Sequence, residues 1–351
     1  MGNFRYRILD NKLYKFVPEG ESFSDTDNPT EKALKTLLMH AQVPDCDFIL
    51  CSMDGVPEPY LPNDYYFVNN REDQSPILVQ AKLALESTKH LILIPDQLTL
   101  SEHWFFPSQE ILKANQEIAW KEKKPIAIWR GGLSDTGEPT DGRFVATYEK
   151  TPRYALCKIS QEYPDLVDAG FTGLDSQEME RVARKIGVWK NSLSKKAHLE
   201  AKYLPVLDGH MCSYPGFHWR LLSNSACFKQ ESNQVQWFYA AVKPYVHYIP
   251  VKNDMSDLVE KIQWAQEHDR DVQAIVQNAQ AFASKNLMLE DAYYYYAYVL
   301  SEYAKRQSID FSQVPSDPRW KCIQYRKRLS LQKSVEKIFG GKPKALQPKT
   351  A

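Results

Sequence analysis

The hydrophobic positions of this chain form short apolar runs that alternate with segments of helical period. This alternation is typical of an α/β protein. The run at residues 47–51 (DFILC) is bounded by turn residues and predicts a buried parallel strand. After a polar lead-in over residues 1–30, a helix is predicted from Thr30, with Leu34 and Leu37 on one face. The same pattern predicts further strands at residues 77–83, 91–95, 125–130, 166–172, 203–207, 226–228 and 246–251, and further helices at 108–120, 153–163, 256–268, 272–284 and 290–306.

Length and composition predict two α/β domains. A chain of 351 residues is long enough for two domains, and 43% hydrophobic with 25% charged residues is a globular balance. A basic linker, KEKK, follows the predicted helix at 108–120 and marks the expected boundary. We therefore expect a first domain over residues 1–122, a second over 123–306 and a basic tail over 307–351.

The charges of the chain are balanced, with 44 Lys and Arg against 44 Asp and Glu. No global field would recruit nucleic acid, so an anionic ligand must be held by local positive groups. The sequence has no apolar stretch of membrane-spanning length and no signal-peptide pattern, which predicts a soluble, cytoplasmic protein. Six cysteines without CxxC spacing predict reduced, buried thiols rather than disulfides or a zinc site.

The stretch at residues 203–254 concentrates groups that suit phosphate and sugar binding. Its first apolar run ends in Asp208-Gly209, at the carboxyl end of a predicted strand, where open α/β sheets place their ligands. A short helical segment then carries Arg220. The next strand stops at residues 229–232 (KQES), a hydrogen-bonding cluster that we interpret as too polar for a core. Potential N-caps for the helix that follows are Asn253, Asp254 and Ser256.

Candidate catalytic or binding residues lie at two other predicted strand ends. Asp54 lies in the loop SMDGVP after the strand at 47–51, where it could act in chemistry or serve as a turn residue. The pattern alone favours the turn role. Arg130, Gly131 and Gly132 end the strand at 125–130 and could form an anion cradle, because glycine admits close backbone approach and arginine supplies a fork of donors.

These residues resemble a known family. The most specific motifs are KPYVHYIPVKNDMSDL at residues 243–258, the upstream Lys229-Gln230 with Ser232, the WFY triplet between them, and LSEYAK at 300–305. Weaker matches are WRGG, PDLVDA and SMDGVP. Over roughly residues 40–306 the chain resembles glycosyltransferase family 90, which includes Rumi-type protein O-glucosyltransferases, fungal capsule xylosyltransferases and bacterial lipopolysaccharide glycosyltransferases.

The resemblance implies a GT-B-like α/β fold, in which two Rossmann-like domains face each other across a cleft and C-terminal helices follow. It also implies a UDP-sugar donor, UDP-glucose or UDP-xylose, bound mainly by the second domain. Family members resembling this chain invert the anomeric carbon and use no metal. The resemblance therefore implies no metal and no other cofactor, with the UDP-sugar as co-substrate.

The family's residue roles transfer to several positions. Asp54 aligns with the general base, which would take the proton of the acceptor hydroxyl. Arg130 and Gly131 match the family's strand-end Arg-Gly and would contact the donor. Arg153 matches the arginine of a second motif, but the acidic neighbour found in some members is Tyr154 here, which leaves the donor sugar open.

The family's diphosphate arginine is displaced in this chain. Many members place it about seven residues after the Asp-Gly pair, where this sequence has Gly216. The nearest candidate is Arg220, which would lie one helical turn further on the same face. The remaining expected donor-binding residues are Asp208, Gly209, Lys229, Gln230, Glu231 and Ser232.

Alternative readings of the chemistry stay open. Two Asp-x-Asp spacings, at residues 25–27 and 45–47, could mark a metal-dependent GT-A site, but turn or cap roles fit their positions better. The histidines lack paired metal-ligand spacing, and His247 is expected to pack within a strand. The tyrosines at 293–296 are expected to be packing residues. A catalytically inactive transferase fold that serves as a binding module remains an alternative.

The acceptor and the tail are the least constrained features. We expect an acceptor hydroxyl on lipopolysaccharide or another glycan, with a protein hydroxyl as the alternative. From Arg319 onward the chain carries many Lys and Arg but a single acid, Glu336. This tail is predicted either to contact anionic membrane at its cytoplasmic face or to pack back on the first domain, and the two possibilities are equally supported.

Overall fold

The computed structural model describes residues 3–23, 28–55, 76–133, 151–173, 177–311 and 316–323. The chain divides into two compact units: unit 1 comprises residues 1–105, 235–237 and 288–351, and unit 2 comprises residues 106–234 and 238–287. This division differs from the expected boundary after residue 122 and from the assignment of 288–306 to the second domain. Long-range packing causes the difference, because the hydroxyl of Tyr293 donates to the carbonyl of Leu100 at 2.9 Å within unit 1.

The strands alternate with helices through most of the described chain. The strands are β1 (Asn3–Leu9), β2 (Lys12–Phe16), β3 (Cys46–Cys51), β4 (Ile77–Val79), β5 (Lys82–Leu83), β6 (Leu91–Leu93), β7 (Lys124–Gly131), β8 (Val167–Phe171), β9 (Ala201–Val206), β10 (Ala226–Gln230), β11 (Gln234–Val235), β12 (Ile249–Val251) and β13 (Trp320–Cys322). The α-helices are α1 (Pro29–His40), α2 (Glu102–Glu117), α3 (Pro152–Glu162), α4 (Gln177–Lys185), α5 (Lys195–His198), α6 (Gly216–Leu222), α7 (Leu258–Glu267), α8 (Asp269–Asn286) and α9 (Leu289–Ala304), with 3₁₀ turns at Glu86–Thr88, Trp120–Glu122 and Tyr239–Ala241.

Unit 1 contains a mixed sheet in the order β13-β2-β1-β3-β4-β6. The strand predicted at 47–51 is present as β3, and all of its residues are buried. It pairs in parallel with β4 on one side and antiparallel with β1 on the other, so only one of its neighbours is the expected parallel partner.

The polar lead-in predicted over residues 1–30 is wrong for residues 3–16, which form the hairpin of β1 and β2. Tyr6 and Ile8 on β1 are fully buried, so the strand has the period of two that the sequence pattern already contained. Asp10 and Asn11 form the turn with φ of 49° and 57°, the left-handed conformation of a two-residue hairpin.

Both aspartates of the Asp-x-Asp spacing at 45–47 have structural roles, but Asp47 lies within β3 instead of serving the expected turn or cap. The Asp47 carboxylate is buried and accepts from Arg5 at 2.8 Å and Arg7 at 2.7 Å. Asp45 accepts from the backbone N–H of Asp10 at 2.9 Å. The other spacing, at 25–27, lies outside the described residues. Within the described chain, no group of three or more His, Cys, Asp or Glu side chains is arranged to hold a metal ion.

Unit 2 contains a five-stranded sheet in the order β12-β10-β9-β7-β8, and every pairing in it is parallel. This confirms the α/β class. When the strands are numbered by their sequence order within unit 2, their spatial order is 2-1-3-4-5. Successive strands are therefore added on opposite sides of the boundary between β7 and β9, which is the switch point of the sheet. Such a switch point opens a crevice at the carboxyl ends of the strands, where doubly wound folds bind ligands.

The N-cap of α7 is Asp257, which is not one of the N-cap residues expected from the sequence. The helix begins at Leu258 after Asp257, which makes no side-chain capping bond, whereas Asp254 accepts from the N–H of Ser256 within a turn. The strand predicted at 246–251 is shortened to β12, because Tyr245 has a φ of 56° and its N–H donates to Tyr248.

The histidine predicted to pack within that strand precedes it. His247 lies in the turn before β12, where its Nδ1 accepts from the N–H of Lys243 at 3.0 Å. The tyrosines of α9 are packing residues at two positions, since Tyr293 and Tyr296 are each 1% exposed.

The beginning of the basic tail adds a strand to unit 1. β13 pairs antiparallel with β2, and the guanidinium of Arg7 lies 4.0 Å from the ring centroid of Trp320. Residues 324–351, the rest of the basic tail, lie outside the described residues, so neither predicted role of the tail is tested. All six cysteines are free thiols, and Cys322 is the exposed one. No helix of the described chain has the length and apolar character to cross a membrane.

The pairing of Asp47 predicts a large stability effect. Asp47→Ala leaves Arg7, whose side chain is only 11% exposed, without its carboxylate partner. We expect the free energy of unfolding in urea to fall by about 3 to 5 kcal/mol. Asp45→Ala, which removes one exposed hydrogen bond, is the matched control and should cost about 1 kcal/mol or less. Equal, small losses for the two variants would contradict a structural role for the Asp47 ion pairs.

Candidate functional site

Asp208 is the centre of a buried polar cluster in unit 2. It follows β9 at the carboxyl edge of the parallel sheet and is 6% exposed. Its carboxylate accepts from the ammonium of Lys229 at 3.2 Å and from the hydroxyl of Ser232. Its backbone N–H donates to Oε1 of Gln230 at 2.9 Å. Four of the residues predicted from the sequence are therefore in direct contact.

Lys229 and Gln230 are the last two residues of β10, and each is 5% exposed. The interpretation of residues 229–232 as too polar for a core is wrong for these two. Their polar atoms tolerate burial because they are hydrogen-bonded. Lys229 also donates to the carbonyl of Gln230 at 2.8 Å, and the Gln230 amide donates to Asn253 at 2.7 Å. Glu231 differs from them and is exposed.

Arg153 joins two strand ends at the switch point. It lies in the first turn of α3, whose N-cap Thr151 accepts from the N–H of Tyr154. The Arg153 guanidinium donates to the carbonyl of Asp208 at 2.8 Å and to that of Gly132 at 2.7 Å. It therefore crosslinks the ends of β9 and β7 on the edge of the sheet where a ligand is expected.

Arg130 does not have the environment expected of an anion fork. Its guanidinium makes a two-pronged ion pair with Asp168 at 3.0 Å. It also donates to the carbonyls of Trp129, Asp168 and Asn191, so the protein itself uses its donors. Burial alone would raise the pKa of Asp168, but hydrogen bonds from Arg130 and Lys190 outweigh burial and lower it. Asp168 and Lys190 are site neighbours that sequence reasoning missed, because both lie far from Arg130 along the chain.

Gly131, the glycine next to Arg130, has a packing role. A Cβ atom on Gly131 would lie 2.4 Å from a ring carbon of Trp129, so only glycine fits at the end of β7. At the end of β9, Gly209 is buried next to Asp208.

Arg220 is a buried cation without a carboxylate partner among the described residues. It lies on α6 and is 7% exposed. One terminal nitrogen donates to the carbonyl of Gly216 at 2.9 Å, and the guanidinium lies 4.2 Å from the ring centroid of Trp219. Its Nε is buried with no acceptor in the described part of the chain. Burial lowers the pKa of Arg220 to about 10, and the charge of Arg153 acts in the same direction.

Gly216 provides the space that Arg220 uses. A Cβ atom on Gly216 would lie 3.3 Å from Nη1 of Arg220. The guanidinium of Arg220 thus reaches back one helical turn to lie beside residue 216.

Asp54 belongs to unit 1. It is exposed and lies three residues after the end of β3, on the carboxyl side of that strand. Residues 56–75, which follow it in the sequence, lie outside the described residues. Unit 2 therefore brings together Arg153, Asp208, Lys229, Gln230 and Ser232, whereas Asp54 is presented by a different sheet.

The parallel sheet of unit 2 places it in the doubly wound α/β class, and the cations Arg153 and Lys229 lie at the carboxyl edge of this sheet. Residues 1–324 match the family model described as Glycosyl transferase family 90, and the chain belongs to this family.

Several named proteins are similar to the chain. Protein O-glucosyltransferase 3 of Homo sapiens is 27% identical over 338 residues, which cover 93% of this chain and 61% of the relative. Protein O-glucosyltransferase 2 of Danio rerio is 26% identical over 289 residues, covering 77% and 54%. The chain thus spans a little more than half the length of these relatives.

Solved structures show weaker similarity. Anabaena Alr3699/HepE in complex with UDP-glucose superposes with a TM-score of 0.39 at 13% identity, covering 65% of this chain and 64% of that one. A glycosyltransferase from Rickettsia africae gives a TM-score of 0.45 at 9% identity, covering 83% and 84%.

The saturated guanidinium of Arg130 predicts a structural rather than a ligand-binding phenotype. Arg130→Met removes the partner of Asp168 and leaves three carbonyls without this donor. We expect the free energy of unfolding to fall by about 1 to 3 kcal/mol. UDP affinity, measured by calorimetry below the unfolding transition, should be unchanged. A selective loss of UDP affinity at full stability would restore Arg130 as an anion-binding residue.

Proposed function

We propose that the chain is an inverting glycosyltransferase that moves glucose or xylose from a UDP-sugar to an acceptor hydroxyl without a metal ion, with Asp54 as general base. The observation that carries this proposal is Arg220, a buried cation of unit 2 that has no counter-charge among the described residues. Burying such a charge costs free energy unless a ligand of opposite sign completes the site.

A diphosphate would supply the missing negative charge at Arg220. The chain has no net charge that would attract an anion from a distance, so local cations must provide the attraction. The buried Nε of Arg220 offers a donor, and charge-assisted hydrogen bonds to phosphate are among the strongest that proteins make. Two cations, Arg220 and Arg153, could take the place that a metal ion occupies in metal-dependent transferases.

The cluster around Asp208 suits the sugar of the donor. Lys229 has three N–H donors, and the described residues use two of them, on Asp208 and on the carbonyl of Gln230. A carboxylate with remaining lone pairs and an ammonium with a remaining donor can together bind neighbouring hydroxyl groups. The donor-binding set is therefore Arg153, Asp208, Gly209, Arg220, Lys229, Gln230, Glu231 and Ser232, with Arg130 and Gly131 supporting the strand end.

Asp54 would act on the acceptor. Its carboxylate takes the proton of the acceptor hydroxyl as that oxygen forms a bond to the anomeric carbon. The bond from this carbon to the diphosphate oxygen breaks at the opposite face, so UDP leaves and the configuration inverts. The exposure of Asp54 is compatible with access by a large acceptor.

The names of the relatives favour glucose as the sugar and a protein hydroxyl as the acceptor, although the sequence analysis favoured a glycan such as lipopolysaccharide. The two acceptor classes can be separated by incubating the protein with labelled UDP-glucose and either purified lipopolysaccharide or a protein fraction. Label in one fraction alone would assign the acceptor. The cytoplasmic location and the membrane contact of the tail stay predictions.

Arg220 should contribute to UDP binding directly. Arg220→Ala removes the buried cation, and we expect the Kd for UDP to rise by roughly 10- to 150-fold, the equivalent of a charged hydrogen bond of about 1.5 to 3 kcal/mol. Arg184→Ala removes an exposed arginine of α4 that is paired with Glu180 and is the matched control. Addition of EDTA should leave the wild-type Kd unchanged. An unchanged Kd for Arg220→Ala, or a loss of affinity with EDTA, would refute this part of the proposal.

Asp54→Asn should separate chemistry from donor binding. The amide keeps the size of the side chain but cannot accept the proton, so turnover of UDP-glucose should fall by about 10²- to 10⁴-fold. The Kd for UDP should stay the same, because the proposed diphosphate ligands lie in unit 2. Full turnover in the variant would remove Asp54 from the mechanism. A wild-type chain that binds UDP-glucose but never releases UDP would favour the inactive binding module instead.

A further inference from the structure

A buried glutamine holds the loop that carries Asp54. Gln80 follows β4 and is 3% exposed. Its amide nitrogen donates to the carbonyl of Ser52 at 3.3 Å and to that of Met53 at 3.0 Å. We propose that Gln80 is a positioning residue for Asp54, which fixes the backbone immediately before the carboxylate. This inference rests on the proposed role of Asp54 as general base.

Gln80 lies just beyond the last backbone pairing between β3 and β4. β3 and β4 are registered at the pairs Ile49–Ile77 and Leu50–Leu78. Beyond these pairs β3 continues into the loop of Ser52 to Gly55, and the side chain of Gln80 maintains the connection between the two segments. The exposed Asp54 therefore follows two carbonyl groups that are tied to the buried sheet of unit 1.

The other end of the amide is held by a rigid turn. Oε1 of Gln80 accepts from the N–H of Gln97 at 2.9 Å. That turn is itself fixed by the buried Asp96 carboxylate, which accepts from the N–H groups of Leu98 and Thr99. Because one end of the amide faces an N–H and the other faces two carbonyls, its orientation is determined by its partners.

An amide satisfies both sets of partners at once. An ionised glutamate at position 80 would have the same shape but would face the carbonyls of Ser52 and Met53 with an acceptor instead of a donor, and a protonated one would have a single donor for the two carbonyls. Displacing a catalytic group by about 1 Å can reduce turnover by about 10²-fold. Loss of the N–H groups of Gln80 should therefore reduce turnover by displacing Asp54. It should leave unaffected the residues of unit 2 that bind the UDP-sugar.

The first test compares Gln80→Glu and Gln80→Met with Gln97→Met. Both glutamines line the same small cavity with Tyr296, and no described hydrogen bond joins the Gln97 side chain to residues 52–53, so Gln97→Met is a matched control. With UDP-glucose as donor and water as acceptor, we expect UDP release to fall by about 10- to 100-fold in the Gln80 variants. The Kd for UDP should stay within about twofold of wild type, and the control should be near wild type in both quantities.

A double-mutant cycle with Asp54→Asn distinguishes positioning from general support of the fold. If Gln80 acts through Asp54, Gln80→Met should change turnover by less than about threefold in the Asp54→Asn background. The same loss in both backgrounds would overturn the inference. Full turnover by Asp54→Asn alone would instead sink the proposed general base, which makes the two failures distinguishable.

Hydrogen exchange gives a readout that does not need turnover. In Gln80→Met, backbone amides of the peptide spanning residues 50–55 should exchange faster than in wild type, whereas the peptide spanning 226–232 should be unchanged. Unchanged exchange at 50–55 would show that Gln80 does not hold the loop and would overturn the inference whatever the kinetics.

Discussion

The candidate donor site depends on the buried carboxylate of Asp208 and the hydrogen bonds that it accepts. Side chains from β10 and the loop after it reach this one group, and the backbone at the same residue receives Arg153 from α3. Without a negative charge at this point, Lys229 would be a buried ammonium with no counter-ion, which proteins avoid. The neighbouring Arg220 shows the opposite condition, because its charge is buried and remains uncompensated by the described residues. The candidate site thus contains one cation, Lys229, whose charge is compensated by a carboxylate, and another, Arg220, whose charge is not compensated by the described residues.

Sequence reasoning located the strand ends but not the contacts that form between them. The α/β alternation and the Asp208-Gly209 strand end followed from local patterns, and the family motifs assigned Lys229 and Asp208 to the same candidate site. The engagement of Arg130 by Asp168 could not be predicted in this way, because the two residues are 38 positions apart and no local signal links them. A side chain that a linear motif suggests is available to a ligand can already be hydrogen-bonded to residues of a neighbouring strand.

The errors in the predicted fold have similar causes. The hairpin of β1 and β2 was overlooked although it has alternating buried positions and a two-residue turn, because Arg5 and Arg7 alternate with the apolar residues of β1 and leave no continuous hydrophobic run. These arginines are stabilised by Asp47, a residue from another strand. The assignment of α9 to the wrong unit arose from sequence adjacency, which carries no information about the contact of Tyr293 with Leu100.

Neither unit is a continuous piece of the chain. The described parts of unit 1 come from both ends of the sequence, and Gln307 near the end of the described chain bonds to both backbone groups of Asp47 in β3. During synthesis on a ribosome, all residues of unit 2 have been made once residue 287 has emerged, whereas β1 to β6 must wait for α9 and β13. Vectorial folding would therefore complete the later unit first. The nascent sheet of unit 1 stays open until then, so the order of assembly runs against the order of the sequence.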